Sequence, residues 1–149
     1  MSKDIIIYYA SVTGNSESIA QRASQSITGA GWTPQLVNLA DVKPADLSGD
    51  GKIALFVAST WGDGEPPTDA EDFFDALTNE APGLSGLRFA VFGLGDSSYE
   101  QFNGFTKKLE ARLTALGGKT FHTRGDADID FERDYAKWEP GFLTSLRAL

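Results

Sequence analysis

Residues 53–67 read Ile53-Ala54-Leu55-Phe56-Val57-Ala58-Ser59-Thr60-Trp61-Gly62-Asp63-Gly64-Glu65-Pro66-Pro67. The apolar run has the length of a strand but lacks the alternation of a half-exposed one, and hydroxyls, glycines and prolines end it. Such a strand is buried on both faces, as in a parallel sheet covered by helices. Ile5 to Ala10 and Phe89 to Gly93 repeat the pattern, Pro34 to Leu39 is a weaker version, and Lys119 to His122 is an edge candidate.

The intervening segments have helical period. In Ser16 to Ala30 the residues Ile19, Ala20, Ala23, Ile27 and Ala30 share one face, and in Phe105 to Leu116 the stripe is Phe105, Leu109, Leu113 and Leu116. Glycines at 29 and 31 and at 117–118 predict left-handed helix ends. A third helix is expected from Thr68 to Asn79, with Thr68 as N-cap and Phe73, Phe74 and Leu77 inward. In Phe131 to Leu149, Tyr135, Trp138, Phe142, Leu146 and Leu149 recur at threes and fours, and Pro140 predicts a kink or a restart. Strands alternating with helices imply right-handed crossovers and a doubly wound α/β sheet.

The 149 residues predict a single domain spanning 1–149. With 13 Lys and Arg against 21 Asp and Glu the net charge is −8, which argues against nucleic acid or an anionic membrane and fits basic partners. The absence of cysteine removes disulfides, cysteine nucleophiles, zinc–thiolate sites and iron–sulfur clusters; a single histidine, His122, removes multi-histidine metal sites. His122 is expected to be a surface or hydrogen-bonded residue without a catalytic role, and no nucleophile–base–acid set is readable. The N-terminal apolar run is too short for a signal peptide, and no stretch reaches the roughly 18 apolar residues of a span, so a cytoplasmic location is expected.

In doubly wound sheets ligands bind beyond the carboxyl ends of the strands. After the first strand, Ser11-Val12-Thr13-Gly14-Asn15-Ser16 places hydroxyls around a glycine at a helix N-terminus, with no Lys or Arg. That composition suits a monoester phosphate held by hydrogen bonds, and it lacks the spacing and lysine of a nucleoside-triphosphate loop. The plain alternative is an ordinary Ser/Thr N-cap. After the third strand, Trp61 stands between hydroxyls and glycines, where an indole is useful if it stacks on a planar ligand. After the fourth, Gly93-Leu94-Gly95-Asp96-Ser97-Ser98-Tyr99 presents a second aromatic. Ser98 stands where a dinucleotide fingerprint needs its third glycine, so an NAD site of that type is not expected. A phosphate anchor with two aromatic plates fits flavin mononucleotide, FMN.

With these loops the chain resembles the short-chain flavodoxins, and most closely the flavodoxin-like FMN modules of diflavin reductases such as sulfite reductase flavoprotein and cytochrome P450 reductase. The resembling segments are Ser11 to Ser16, Ser59 to Pro67, Phe92 to Asn103 and the pattern from Gly125-Asp126 to Trp138. The resemblance implies five parallel strands in the order 2-1-3-4-5 with helices on both faces. It implies phosphate binding by Ser11, Thr13, Gly14, Asn15 and Ser16, one side of the ring flanked by Ser59, Thr60, Trp61 and Gly62, and the other formed by Leu94, Gly95, Asp96, Tyr99, Phe102 and Asn103. Two positions depart from the pattern. Trp61 replaces the usual tyrosine, and Ala127 replaces the middle of three carboxylates in Asp126-Ala127-Asp128.

The implied function is low-potential one-electron transfer. Gly62, before Asp63, is the expected hinge for a backbone carbonyl that turns toward the flavin N5. Asp63, Glu65, Asp96 and Glu100 disfavour the reduced, anionic flavin; about 1.4 kcal/mol of such interaction moves a one-electron potential by about 60 mV. Asp63, Glu65, Asp69, Glu71, Asp72 and Asp75 form an acidic run expected to steer basic redox proteins, with a reductase of the flavodoxin or ferredoxin type as donor. A second run, Asp126 to Asp134, is equally well read as a solvated face. The protein is expected to be a monomer without intrinsic enzyme activity, and Met1 and the helical C-terminus are read as those of an independent protein. The alternatives are an FMN-dependent NAD(P)H quinone or azo reductase and the FMN domain of a diflavin reductase system. A phosphoacceptor regulatory domain would need an aspartate where Ser59 stands.

Overall fold

The computed structural model describes residues 3–10, 14–60, 64–96 and 103–149. The central apolar run forms β3, Lys52–Ser59, with Ala54 to Ala58 buried. It lies between β1 (Asp4–Ala10) and β4 (Leu87–Leu94), and only Arg88 of β4 is exposed. β2 (Thr33–Asn38) pairs with β1, and the order β2-β1-β3-β4-β5 is parallel throughout, as expected.

The fifth position departs from the expected single strand. β5 is only Lys119–Thr120, paired with Arg88 and Phe89, and β6, Gly125–Ala127, resumes against Phe92 to Leu94. The chain uses two residues more than β4 between those pairings. Phe121 N–H still donates to Phe89 O at 3.0 Å, and beyond it the pairing lapses until Gly125. There the Phe121 ring lies 5.7 Å from Phe142, and His122 lies 5.4 Å from Trp138.

Continuous apolar strands need cover on both faces, and the core is accordingly double. Ile5, Ile7, Leu55, Val57, Ala90, Phe92 and Leu94 face α1 (Asn15–Gly29) and α4 (Phe131–Arg147), which contribute Ile19, Ala23, Ile27, Tyr135, Phe142 and Leu146. The alternate residues Tyr8, Ala10, Phe56, Ala58, Phe89 and Val91 face α2 (Thr68–Glu80) and α3 (Gly104–Ala115). Each fully buried Ile, Leu or Phe contributes roughly 1.5–3 kcal/mol relative to exposure. Two short 3-10 turns, Leu39–Asp41 and Pro44–Leu47, carry the chain from β2 across to β3 and cap the second core with Leu39 and Leu47.

Both glycine-terminated helices close as predicted. At the end of α1, Gly31 has φ +90°, its N–H donates to Thr28 O, and Trp32 N–H donates to Ile27 O at 3.2 Å. At the end of α3, Gly117 has φ +108° and Gly118 N–H donates to Leu113 O at 2.9 Å. These are paired Schellman closures, and in the first Ile27 and Trp32 bury together. The α2 start differs from expectation: Pro67 is the N-cap, and Thr68 is the exposed first helical residue.

The chain does not restart a helix at Pro140, because α4 runs unbroken from Phe131 to Arg147. Pro140 and Ala136, whose carbonyl loses a donor, are both exposed, so water can meet the freed acceptor. Pro140→Ala should therefore stabilise the protein by about 2 kcal/mol, from about 3 kcal/mol of helix penalty less about 1 kcal/mol of lost chain restriction in the unfolded state. Urea unfolding checks this, with an unchanged or lower midpoint as the contrary result.

Candidate functional site

The carboxyl ends of β1, β3 and β4 open onto one edge of the sheet, with the reversal of strand order between β1 and β3. Across that reversal Ser16 Oγ and Ser59 Oγ are 2.9 Å apart, which pins the first turn of α1 to the end of β3. Ser16 is fully buried. The N-cap position is held by Gly14, at φ +87°. Gly14 and Asn15 are exposed.

Beyond β3, Thr60 N–H donates to Leu94 O at 2.9 Å, and beyond β4, Gly95 N–H donates to Ala127 O at 2.9 Å. Asn103 stands just before α3 in the left-handed region, φ 52°, and is fully buried. Its Nδ2 donates to the same Ala127 carbonyl at 3.5 Å, and its Oδ1 is buried without a hydrogen-bond partner. A side chain on Gly95 would place its Cβ 2.5 Å from that Oδ1, so Gly95 keeps the cradle open. An orphaned buried acceptor is unfavourable by about 1–3 kcal/mol, which marks this oxygen as one awaiting a donor.

The structure thus brings Ser16 and Ser59 together, joins Thr60, Leu94 and Gly95 to the sheet through backbone bonds, and adds Asn103 through its side-chain bond to Ala127 O. Asp96 is half-buried at the rim. Ser11, Thr13, Trp61, Gly62, Tyr99 and Phe102 lie outside the described residues. Two contacts reach across without any local sequence signal. Phe105 N–H donates to Thr60 Oγ1 at 3.3 Å, and Lys108 Nζ donates to Gly64 O at 3.4 Å, across 45 and 44 residues of chain.

Ala127 is fully buried in the core beneath α1 and α4, while Asp126 before it is exposed. Strand alternation turns residue 127 inward at this register, so an apolar side chain suits it. Gly125 passes so close beneath Phe92 that a Cβ would stand 2.9 Å from Trp138 Cδ1 and closer still to the Phe92 ring.

The two acidic runs separate. In the second, Asp126 and Glu110 both hold Arg124, at 2.9 and 2.7 Å, and Asp134 Oδ2 accepts from Asp128 N–H at 2.9 Å. Those carboxylates shape the β6–α4 junction. In the first run Asp69 accepts from Asn38 Nδ2, whereas Glu65, Glu71, Asp72 and Asp75 are exposed. His122, half-buried, has Nδ1 2.8 Å from Ser145 Oγ and packs on Trp138, and burial lowers its pKa. That matches the expectation of a hydrogen-bonded histidine. Among the described residues no three His, Asp or Glu side chains group as a metal site.

The family model described as Flavodoxin matches residues 7–138. The chain is 39% identical over 147 residues to the sulfite reductase [NADPH] flavoprotein alpha-component of Bacillus subtilis, covering 98% of this chain and 24% of that protein. It is 36% identical over 150 aligned positions to NADPH–cytochrome P450 reductase of Homo sapiens, covering 97% and 22%. The chain thus spans about a quarter of the length of the curated relatives it matches. Among solved structures, a Streptococcus pneumoniae flavodoxin superposes with a TM-score of 0.83 at 28% identity, covering 97% of this chain and 98% of that one. A Pseudomonas aeruginosa flavodoxin variant gives 0.79 at 25% identity, covering 97% and 99%.

Replacing Asn103 separates its backbone from its amide. Both Asn103→Ala and Asn103→Gly lose the bond to Ala127 O, but alanine also meets the left-handed strain of about 1–2 kcal/mol, partly offset by the higher unfolded-state entropy of glycine. The glycine variant should be the more stable by roughly 0.5–1 kcal/mol in urea unfolding. Equal midpoints would contradict the left-handed assignment.

Proposed function

Because the chain belongs to the flavodoxin family, whose cofactor is FMN, we propose that it works as a low-potential one-electron carrier, drawing on a flavodoxin- or ferredoxin-reductase type of donor and delivering to basic redox proteins. When bound, FMN supplies the redox chemistry, passing electrons one at a time. The observation that carries the reading is the tying of three strand-end loops into one rim around the buried, unpartnered Oδ1 of Asn103.

The residues present fit the group. Gly14, Asn15 and Ser16 at the N-terminal end of α1 would hold the phosphate with the hydroxyls of Ser11 and Thr13, aided by the helix dipole. No Lys or Arg lies in residues 11–16 to neutralise it. By the family pattern, Ser59, Thr60, Trp61 and Gly62 would hold one side of the ring and Leu94, Gly95, Asp96, Tyr99, Phe102 and Asn103 the other, with the buried Asn103 Oδ1 available as an acceptor. With the phosphate charge retained and Asp96 at the rim, adding further negative charge is disfavoured, which is the basis for the low potential.

The exposed carboxylates Glu65, Glu71, Asp72 and Asp75 follow the β3 loop directly and form the proposed docking field for basic partners. A second reading draws on the 39% identity to a reductase flavoprotein four times as long: the chain serves as the FMN module of a two-flavin system. We place it in the cytoplasm as a monomeric single domain; no helix among the described residues is long and apolar enough to cross a membrane.

Anaerobic stepwise reduction followed by absorbance tests the carrier. Two separable one-electron stages are expected. An apoprotein that takes up no FMN would overturn the reading, and steady NADPH oxidation with quinone by the purified holoprotein would replace it with a quinone reductase. Electron transfer to a basic haem protein should slow ~10-fold or more between low salt and 0.3 M salt. It should also slow in a Glu71→Gln, Asp72→Asn, Asp75→Asn variant, and a flat salt profile contradicts the docking field.

A further inference from the structure

At the end of the sheet opposite the carboxyl edge, the starts of β1, β3 and β4 border a cavity of about 480 Å³. Its floor is apolar: buried Trp32 and half-buried Ile53 and Leu149 belong to the core under α1 and α4, and the cavity opens where that core runs out. Its rim is basic, with Lys3, Arg88 and Arg147 all exposed there and no acidic side chain among the described lining residues. Among the described residues none of these three cationic groups forms an ion pair. The Lys3 backbone is fixed, because its carbonyl accepts from Thr33 N–H at 2.8 Å.

Three unpaired cations around one apolar cavity run against the composition of a chain with 13 basic and 21 acidic residues. Arg147, in the last turn of α4, complements the negative end of its own helix. Lys3 and Arg88 belong to no helix, so that use does not extend to them. Arg88 instead has Lys119 of β5 as its register partner, and like charges placed opposite each other on neighbouring strands destabilise a sheet. Trp32 supplies an independent observation. It is only 6% exposed, yet among the described residues its indole N–H has no hydrogen-bond partner, whereas that of Trp138 donates to Thr123 O at 2.9 Å.

We propose that this cavity binds a small organic acid, its apolar body on Trp32, Ile53 and Leu149 and its anionic head on Arg88, Lys3 and Arg147. The volume lies within the range of roughly 300–1,000 Å³ usual for small-molecule sites. Arg88 is the chief anchor, since a guanidinium presents paired donors to two oxygens of a carboxylate or a phosphate. A bound anion also offsets the repulsion between Arg88 and Lys119. The surroundings select a small acid over a polyanion: Asp4 and Asp50 line the depression adjoining Gly51 and Ile53, and the chain as a whole carries a charge of −8. The site is independent of the FMN reading, because it lies at the other ends of the strands.

Octanoate is the probe, titrated into the full chain while the indole N–H resonance of Trp32 is followed by NMR and assigned through Trp32→Phe. A saturable shift is expected with a Kd of about 1 mM or tighter, modest for so small a ligand, and the Trp138 resonance should stay in place. Octyl phosphate in a parallel titration identifies the head group, since the tighter of the two acids names the chemistry the cations prefer. Arg88→Met should weaken binding about tenfold, Arg88→Lys less, and Arg147→Met in the same direction, while the exposed control Lys137→Met should bind as the wild type does.

Octylammonium and octan-1-ol carry the same apolar body without the negative charge. If either shifts Trp32 as strongly as octanoate, or if Arg88→Met binds octanoate like Lys137→Met, the anion site is overturned. The absence of a saturable Trp32 shift with both acids overturns it as well. A Trp32 resonance that moves with protein concentration alone, and that neither acid then alters, assigns the cavity to a second copy of the chain in place of an acid.

Discussion

The backbone ladder between β3, β4 and β6 does not stop where the strands stop. Thr60 N–H meets Leu94 O one residue past β3, and Gly95 N–H meets Ala127 O one residue past β4. The loops after β3 and β4 therefore leave the sheet with their first residues already fixed. Buried backbone donors and acceptors must be paired, and pairing them across three consecutive strands sets the separation of the loops as firmly as it sets the strands. The placing of Asn103 under Ala127 and of Ser59 against Ser16 follows from that shared frame.

The double core explains why so much of the fold can be read from residue order. Strands buried on both faces must be apolar at nearly every position, so β1, β3 and β4 stand out, and the helices covering them show their stripes through Ile19, Ala23 and Ile27 or Leu109 and Leu113. Legibility fails where tertiary contact replaces pattern. Lys119 to His122 has the look of a strand, but the ladder lapses after Phe121 N–H meets Phe89 O, where the rings of Phe121 and His122 pack on α4. Pro140 reads as a kink or a restart, and the helix does not restart there: exposure of Ala136 leaves its carbonyl open to water.

At the site, the residue types announce the loops, while the bonds that join them cannot be read locally. Ser16 and Ser59 are each conspicuous as hydroxyls at loop ends, but their contact spans 43 residues. Lys108 is one of several basic residues on an amphipathic helix until the fold brings Gly64 beneath it. The acidic runs show the same limit. Arg124 draws Asp126 and Glu110 into the structure, and Asp134 ties down the backbone at Asp128, whereas Glu71, Asp72 and Asp75 stay in water.

The divided fifth position has a consequence for how the molecule meets its own copies. An open sheet presents unpaired N–H and C=O groups along its outer strands, a template on which another chain can add. Here one margin is a two-residue strand, then a two-residue surplus, then a three-residue strand, so a straight incoming strand finds no continuous register. The opposite margin, β2, has Pro34 at its second position, where a donor would otherwise sit. The sheet is thus finished at both margins against edgewise growth into fibres.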